Sequence, residues 1–531
     1  MNIADLLTAR ASTDGDSLAV IDDTDAAHHS LTFGQFERAA TRIAAYLHTL
    51  RLRTGDRVLV LQPLSLELCL ILVAILRAGL VAVFVDPSAG LSHLDSCCRT
   101  SQPRAFIGSR RAHLLRLLSP GLRRIPMKWR GDSLVHRALT ESGGDPESFT
   151  RPDLPATAPA LVRFTSGSTG VPKAAVRSHG FLLAQLRAIK VHLHLEHGQT
   201  DLITMPMFML PNLAAGITSV LPAADIRAPG RIDAKSFIRQ IHERRPDRLT
   251  ASPALLQRLV EFAHTHTQSA SSLRRIDTGG APVHPRLLDH LQPFAPNATV
   301  TAVYGSTEAE PIALLPAESI TATDRQRMAS GAGLLAGRPV PDIEIRMFRV
   351  RLEPPARRLS ADEFEALSVS PGQPGEIVVH GPHVHPGDTD NPAAEPTKLF
   401  VGKTVWHRTG DVGRLEADGR LWLLGRSSAR LDDPRGTLYP FEIETAALMN
   451  DSIRHAALVA IDGRRILAVE PTRPGHPPII PDPIRTQVDD VRIVRALPLD
   501  RRHNAKIDYA QLRRRLFKSS KRNAARPQCF E

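Results

Sequence analysis

A short segment rich in hydroxyl and glycine residues has the composition best suited to chemistry. It spans residues 161–176 and reads LVRFTSGSTGVPKAAV, so an apolar run leads directly into it. Its candidate phosphate-binding residues are Thr165, Ser166, Gly167, Ser168, Thr169, Gly170 and Lys173. Backbone N–H groups and hydroxyl groups of such a loop can surround phosphate oxygens, and a lysine adds positive charge. The loop is not a Walker A motif, because Pro172 precedes the lysine and Ala174 follows it. Taken by itself, it could also be a flexible Ser/Gly turn.

The segments that precede this loop predict the elements that position it. Residues 33–50 place apolar side chains at helical spacing, and the apolar run at 57–63 is typical of a strand. The helix-like residues 66–79 and the strand-like residues 80–87 repeat the pattern. Helices that alternate with strands apolar on both faces predict a parallel sheet covered on both sides.

The pattern changes after about residue 340. Short strand-like pieces such as GEIVVHG and GRLWLLGR are separated by Gly, Pro and Asp turns, and a polar segment, RSSARLDDPRGT, follows at 426–437. We therefore predict an α/β protein with two domains. Residues 1–425 would form a large N-terminal domain of doubly wound α/β halves with a β-rich subdomain, and residues 426–531 a small mobile C-terminal α/β domain that serves as a lid.

Composition and charge exclude several classes of protein. The 531 residues are 42% hydrophobic and 23% charged, which is ordinary globular usage. The net charge is +12, but residues 501–526 hold ten Lys/Arg and one acidic residue, so a chain-wide nucleic-acid footprint is absent. The four cysteines have no CxxC spacing. The longest apolar stretch, at 68–76, is far short of the ~20 residues that span a bilayer. We expect a cytoplasmic protein without a transmembrane segment, an export signal or a nucleic-acid partner.

Four more motifs follow the loop along the chain. They are DTGGAP at 277–282, YGSTE at 304–308, RTGD at 408–411 with GR at 425–426, and NAKID at 504–508. Each motif alone is more often structural, since TGD is usually a turn and a lysine in a basic tail is usually solvated. Together with TSGSTGVPK, and in this order, they resemble the adenylate-forming superfamily of acyl-CoA synthetases, nonribosomal peptide adenylation domains and luciferases.

The resemblance implies that the chain binds ATP and Mg²⁺ through these motifs. Beyond the phosphate loop, the implied nucleotide-binding residues are Gly279, Gly280, Ala281, Pro282, Tyr304, Gly305, Asp411 and Arg426. In this reading Tyr304 would stack on adenine, while Asp411 and Arg426 would bind the ribose.

The resemblance also implies three catalytic residues. Glu308 would hold Mg²⁺ against the phosphates, because a hard cation prefers carboxylate oxygen. Thr307 would hydrogen-bond the α-phosphate or the substrate carboxylate. Lys506 would bridge the attacking carboxylate and the phosphate as charge develops.

Several positions depart from the usual synthetase pattern. Ala174 stands where glycine is common, Met209 where many acyl-CoA synthetases carry histidine, and Ser428 at the usual acidic or lysine hinge position. The Pro-rich run at 471–483 leaves little room for a long helix before Lys506. These features, with RRHNAKI, SPALL and GLLAGRPVP, resemble the olefin β-lactone synthetases, whereas EIE at 442–444 fits acyl-CoA synthetases better.

Three hypotheses follow. In the first, the enzyme adenylates a β-hydroxy fatty acid, and the substrate's own hydroxyl closes a β-lactone. In the second, the acyl group of a fatty acid passes to CoA or to a carrier-protein thiol. The third is a non-catalytic scaffold that has kept the fold, and the presence of Glu308, Asp411 and Lys506 argues against it.

Overall fold

The structure is a computed structural model, and its chain divides into two compact units. It describes residues 2–24, 28–86, 89–140, 149–166, 172–351, 357–387, 396–473, 475–476, 478–500 and 506–524, except the side chains of 165–166, 172–173 and 518–524. Unit 1 comprises Met1–Ile226, Asp233–Thr250 and Pro382–Asn391, and unit 2 comprises Arg227–Ile232, Ala251–Gly381 and Pro392–Glu531.

Unit 1 contains two sheets with helices between their strands. Its strands are β1 (Leu18–Asp22), β2 (His29–Thr32), β3 (Arg57–Leu61), β4 (Val81–Phe84), β5 (Ala105–Gly108), β6 (Met127–Arg130), β7 (Pro159–Ser166), β8 (Pro172–Ser178), β9 (Thr200–Ile203), β10 (Thr218–Leu221) and β11 (Arg248–Ala251). Its helices are α1 (Asp5–Thr13), α2 (Phe33–Thr49), α3 (Leu66–Arg77), α4 (Leu91–Ser101), α5 (Arg110–Leu114), α6 (Pro120–Arg124), α7 (Gly131–Thr140), α8 (His179–His192), α9 (Met209–Ala215) and α10 (Ala234–Arg244).

The strand orders of unit 1 are β6-β5-β3-β4-β7-β8 and β11-β9-β10-β1-β2. Pairing is parallel except at β7–β8 and β1–β2. The sequence dictates these elements locally. Helix α3 begins where the Ser65 side chain accepts a hydrogen bond from the Leu68 N–H, and from Leu68 to Arg77 every residue is buried. The continuous apolar run thus becomes a helix inside the unit.

Unit 2 contains the strands and helices of the second half of the chain. Its strands are β12 (Arg275–Gly279), β13 (Thr299–Ser306), β14 (Ala309–Pro316), β15 (Leu334–Pro339), β16 (Glu344–Phe348), β17 (Arg358–Leu359), β18 (Gly375–His380), β19 (Lys398–Val401), β20 (Thr404–Leu415), β21 (Leu421–Arg426), β22 (Leu431–Asp433), β23 (Gly436–Leu438), β24 (Ile453–Ile461), β25 (Arg464–Pro471) and β26 (Asp490–Ile493). Its helices are α11 (Pro253–His266), α12 (Pro285–Phe294), α13 (Ala322–Ala329), α14 (Ala361–Glu365), α15 (Pro440–Leu448), α16 (Asp482–Arg485) and α17 (Tyr509–Ala524).

A long sheet and a small sheet organise unit 2. The long sheet runs β12-β13-β14-β15-β21-β20-β18-β16, and the small sheet is β24-β25-β26. Helix α17 contacts β24, and one core cluster joins Val459 of β24 to Leu512 and Leu516 of α17. The predicted α/β class, with a β-rich part after residue 340, is confirmed.

The residues predicted to be a polar connection, 426–437, contain ordered structure. A single 3₁₀ turn, Ser427–Ala429, precedes the antiparallel pair β22–β23. Leu431 and Leu438 are buried and belong to the same apolar cluster as helix α15 and strands β24 and β25. The boundary between residues 425 and 426 stays a prediction.

Among the described residues, no helix combines the length and the apolar composition that crossing a bilayer requires.

Candidate active site

The ends of β12 and β13 place two of the predicted nucleotide-binding motifs side by side. The two strands are parallel, and Gly279 is paired with Val303. A Cβ atom on Gly279 would lie 2.6 Å from the Val303 carbonyl oxygen, so a larger residue would push the strands apart. Gly280 follows with a φ of +80°, a conformation that glycine adopts without strain. The GGAP segment therefore turns the chain at the end of β12, beside the strand β13 that carries Tyr304.

Tyr304, Asp411 and Arg426 form one cluster, held by a hydrogen bond and an ion pair. The Tyr304 hydroxyl donates to Asp411 Oδ2 at 2.9 Å. Asp411 on β20 lies opposite Arg426 on β21, and the Arg426 Nε lies 3.1 Å from Asp411 Oδ1. Arg426 also donates to the Thr409 carbonyl oxygen at 2.8 Å. The sequence predicted the members of this cluster, and the structure brings them together.

Burial outweighs the favourable charges in the cluster, so the pKa of Asp411 lies above its usual range. Loss of hydration raises the pKa of Asp411, and the charge of Arg426, the Tyr304 hydrogen bond and the charge of Lys506 all oppose that rise. Burial, together with the Asp411 charge, raises the pKa of Tyr304 well above its usual range. Tyr304 therefore stays a neutral hydrogen-bond donor, and Asp411 keeps 21% of its side-chain surface open to a ligand.

Thr307 and Glu308 occupy the turn that joins β13 to β14. The Glu308 backbone N–H donates to the Ser306 hydroxyl at 3.3 Å, which fixes the turn. Both side chains are partly exposed. Mg²⁺ is usually held by one or two carboxylates together with substrate phosphates, so a lone carboxylate such as Glu308 suits it. The described residues contain no group of three or more His, Cys, Asp or Glu that could hold a metal without a substrate.

Lys506 is exposed, and two hydrogen bonds with Asp500 hold its backbone. Its N–H donates to Asp500 Oδ1 at 3.0 Å, and its carbonyl oxygen accepts from the Asp500 N–H at 2.7 Å. The Lys506 charge opposes the rise in the pKa of Asp411, so the lysine lies within electrostatic range of the Tyr304–Asp411–Arg426 cluster. Residues 501–505, which include most of the RRHNAKI segment, lie outside the described residues.

A buried carboxylate, Glu444, anchors the helix that follows Lys506. The Tyr509 hydroxyl donates to Glu444 at 2.8 Å, and the Leu458 N–H donates to Glu444 Oε1, also at 2.8 Å. Burial raises the pKa of Glu444 from 4.5 to about 7. In the sequence, Glu444 was noted only as part of EIE at 442–444, and no motif pointed to Tyr509.

The candidate phosphate loop lies in unit 1, at the end of the β7–β8 hairpin. Thr165 pairs with Lys173 across the two strands, and Ser166 pairs with Pro172. Gly167, Ser168, Thr169 and Gly170 lie outside the described residues. The register therefore places the predicted lysine directly across from the first predicted hydroxyl residue.

Thr409 is a site residue that the sequence reasoning missed. Its hydroxyl donates to the Ile377 carbonyl oxygen at 2.9 Å and accepts from the Asp411 N–H at 3.0 Å. Gly410 between them has a φ of +74°. The signal was present in RTGD, where a hydroxyl residue two positions before an aspartate can fix its backbone.

Comparison with known proteins identifies the class. The sequence pattern of AMP-binding enzymes matches residues 7–387. An olefin β-lactone synthetase of Stenotrophomonas maltophilia is 31% identical over 94% of this chain and 92% of its own. A feruloyl-CoA synthase of Amycolatopsis is 27% identical over 82% of each chain. The solved structure of ATP-bound MatB from Rhodopseudomonas palustris shares the fold with a TM-score of 0.78 at 19% identity, covering 97% of this chain and 99% of that one.

The chain therefore belongs to the AMP-binding enzyme family, within the adenylate-forming superfamily. It is an AMP-forming ligase that uses ATP to activate an acid, as the five ordered motifs predicted.

Proposed function

We propose that the chain is a β-lactone synthetase, which activates a β-hydroxy fatty acid as its acyl-adenylate and then closes the ring. The observation that carries the proposal is the 31% identity to an olefin β-lactone synthetase across 94% of the chain. A second feature supports it. Between α15 and α17, α16 is the only helix in the described residues, and it has four residues, Asp482–Arg485.

Adenylation needs an in-line approach of two anions, so positive charge and fixed geometry supply most of the catalysis. A carboxylate oxygen of the substrate attacks the α-phosphorus of ATP, the new P–O bond forms, and pyrophosphate leaves. We assign Lys506 to neutralise the charge that develops at the carboxylate and phosphate. Thr307 would orient the same groups through its hydroxyl.

The nucleotide-binding roles follow from the geometry of each motif. Asp411 offers its free oxygen surface to the ribose hydroxyls, and Tyr304 and Arg426 keep its carboxylate fixed. The Gly279–Pro282 turn and Gly305 would leave room for adenine, and the ring of Tyr304 would stack on it. The residues of the β7–β8 loop, Thr165, Ser166, Gly167, Ser168, Thr169, Gly170 and Lys173, would bind phosphate oxygens.

Mg²⁺ would neutralise phosphate charge and would be held by Glu308, whose turn is fixed by Ser306. Glu308 would hold the cation together with the ATP phosphates, since the described residues contain no group of three or more His, Cys, Asp or Glu that could hold it.

Ring closure follows from the chemistry of the activated acid. The hydroxyl oxygen two carbons from the acyl carbon attacks it, the hydroxyl proton is lost, and AMP leaves. Because the nucleophile is tethered to the electrophile, the step is intramolecular and needs no second substrate. Water must be kept from the anhydride, so an apolar acyl pocket is required.

The experiment is product analysis with a 2-alkyl-3-hydroxy acid, ATP and Mg²⁺, with and without CoA. A product lighter than the acid by one water, formed with AMP in the absence of CoA, supports lactone closure. Turnover that requires CoA or a carrier protein favours the alternative, acyl transfer to a thiol. The 27% identity to a feruloyl-CoA synthase is the observation behind that alternative.

A further inference from the structure

Three leucines project into solvent from a short helical segment of unit 1. The segment consists of α5, a 3₁₀ turn at Leu115–Leu117, and α6. The exposed fractions are 64% for Leu114, 74% for Leu117 and 66% for Leu118. Single exposed leucines are ordinary on protein surfaces, but three within five residues form an apolar patch.

The fold does not need these three side chains. The same segment packs into the core through its other face, where Ala112, Leu122 and Ile125 are buried in one cluster with Phe106. Ser119 caps the N-terminus of helix α6, because its hydroxyl accepts a hydrogen bond from the Leu122 N–H. The buried face thus accounts for the packing of the segment against the core. The three exposed leucines do not contribute to that packing.

The segment itself carries only positive charge, and Asp95 of α4 accepts hydrogen bonds from the Ser119 hydroxyl and the Gly121 N–H beside the leucines. Residues 104–130 contain seven arginines and one lysine and no aspartate or glutamate. Arg111, Arg123 and Arg124 are exposed, and no acidic residue of the described chain pairs with them. Arg110 and Arg130 share Asp132, which lies just outside this range. The patch is therefore apolar at its centre, and the basic side chains around it outnumber the two carboxylates, Asp95 and Asp132.

We propose that this Leu–Arg surface, residues 110–124, docks the enzyme on an anionic lipid bilayer. Basic side chains near a bilayer are attracted by anionic headgroups, and adjacent apolar side chains enter the interface. The basic side chains favour an anionic partner. The exposed leucines favour a bilayer over a polyanion such as RNA, because RNA offers no apolar layer for them to enter. The inference stands apart from the lactone step, because it depends only on this surface.

Vesicle sedimentation tests the proposal. The full chain is mixed with vesicles of phosphatidylcholine alone or of phosphatidylcholine with phosphatidylglycerol. We expect binding to the anionic vesicles, and a loss of about tenfold or more in the triple variant L114S/L117S/L118S, since each leucine contributes apolar area. Val191→Ser is the matched control, because Val191 is 60% exposed elsewhere in the same unit. It should bind as the unchanged chain does.

Two further variants separate the sources of charge. Replacing Arg111, Arg123 and Arg124 by glutamine should lower binding at low salt, where electrostatic attraction is strongest. The basic C-terminal helix could also attract anionic lipid, so R513Q/R514Q/R515Q is measured in parallel and should lower binding less than the leucine variant does.

Two outcomes with vesicles overturn the proposal. They are the absence of binding to anionic vesicles, and unchanged binding of the leucine variant, whether or not the C-terminal variant has lost its binding. Competition by RNA that removes binding equally in the unchanged chain and in the leucine variant assigns the surface to nucleic acid instead. Because the leucines are exposed, the variants should keep the thermal unfolding profile of the unchanged chain.

Discussion

Replacing the buried Glu444 by glutamine should change how the stability of the C-terminal segment depends on pH. Glu444 is 3% exposed, and it accepts hydrogen bonds from the Leu458 N–H and the Tyr509 hydroxyl. Burial raises its pKa from 4.5 to about 7. Glutamine keeps an oxygen acceptor for these donors but cannot ionise.

The sign and size of the effect follow from linkage. The folded state holds the Glu444 proton more tightly than the unfolded state, so stability is lost as pH rises from 4.5 to about 7 and stays lost above that pH. Since one pH unit is worth about 1.4 kcal/mol, the loss is about 3 kcal/mol. Glu444→Gln should abolish this loss. Glu444→Ala also removes the titration, but at every pH it should be less stable than Glu444→Gln by about 1–3 kcal/mol, because the buried Leu458 N–H loses its partner.

Hydrogen exchange of strand β24 is the suitable assay, because a chain of two units need not unfold in one step. Opening free energies of peptides within Ile453–Ile461 would be measured from about pH 5 to about pH 8, after correction for intrinsic exchange. The difference between Glu444→Gln and the unchanged chain cancels the contribution of the nearby His455–Glu470 pair. The glutamine variant should become the more stable of the two as pH rises. Parallel pH curves for the two proteins would refute the reasoning.

Three other predictions concern the site and the C-terminal segment. Lys506→Ala should lower the rate of pyrophosphate release by orders of magnitude while changing ATP affinity less, because its charge acts mainly in the transition state; near-normal single-turnover rates would reject that role. Tyr304→Phe removes a hydrogen bond to the Asp411 carboxylate and should raise the KM for ATP about tenfold or more, whereas an unchanged KM would contradict the ribose-binding assignment. Limited trypsin digestion should cut within residues 426–437 and be slowed by ATP; cleavage that never occurs there, with or without ATP, would count against a mobile boundary.

Local sequence signals predicted the elements of the fold well. Helix α3 and strands β3 and β4 were expected at nearly their observed positions, because their apolar runs and turn residues are local properties. The order of the motifs predicted the enzyme class for a related reason. DTGGAP lies at the end of β12 and YGSTE reaches the turn between β13 and β14, where few residue types fit.

Contacts between distant strands could not be predicted from the sequence. Tyr304 and Asp411 lie on β13 and β20, and β14, β15 and β21 separate these strands in the sheet. The hydrogen bond between the two side chains therefore depends on the sheet order and on the register of every intervening pair. Sequence spacing carries none of that information.

The polar segment 426–437 contains a hairpin that the sequence analysis did not predict. Counting its few apolar residues predicted a connection, but Leu431 and Leu438 lie opposite each other on β22 and β23, and both are buried. Two apolar residues on either side of the turn DDPRG were the available signal for a hairpin.

The most direct test of the central claim follows the oxygen atoms of the substrate. A β-hydroxy acid whose two carboxylate oxygens are both heavy isotopes is converted with ATP and Mg²⁺ in the absence of CoA, and AMP and the acyl product are analysed by mass spectrometry. Adenylation of the carboxylate followed by attack of the hydroxyl predicts one heavy oxygen in AMP and one in the lactone. A lactone that keeps both heavy oxygens, with unlabelled AMP, would show that the hydroxyl was activated instead and would contradict the account.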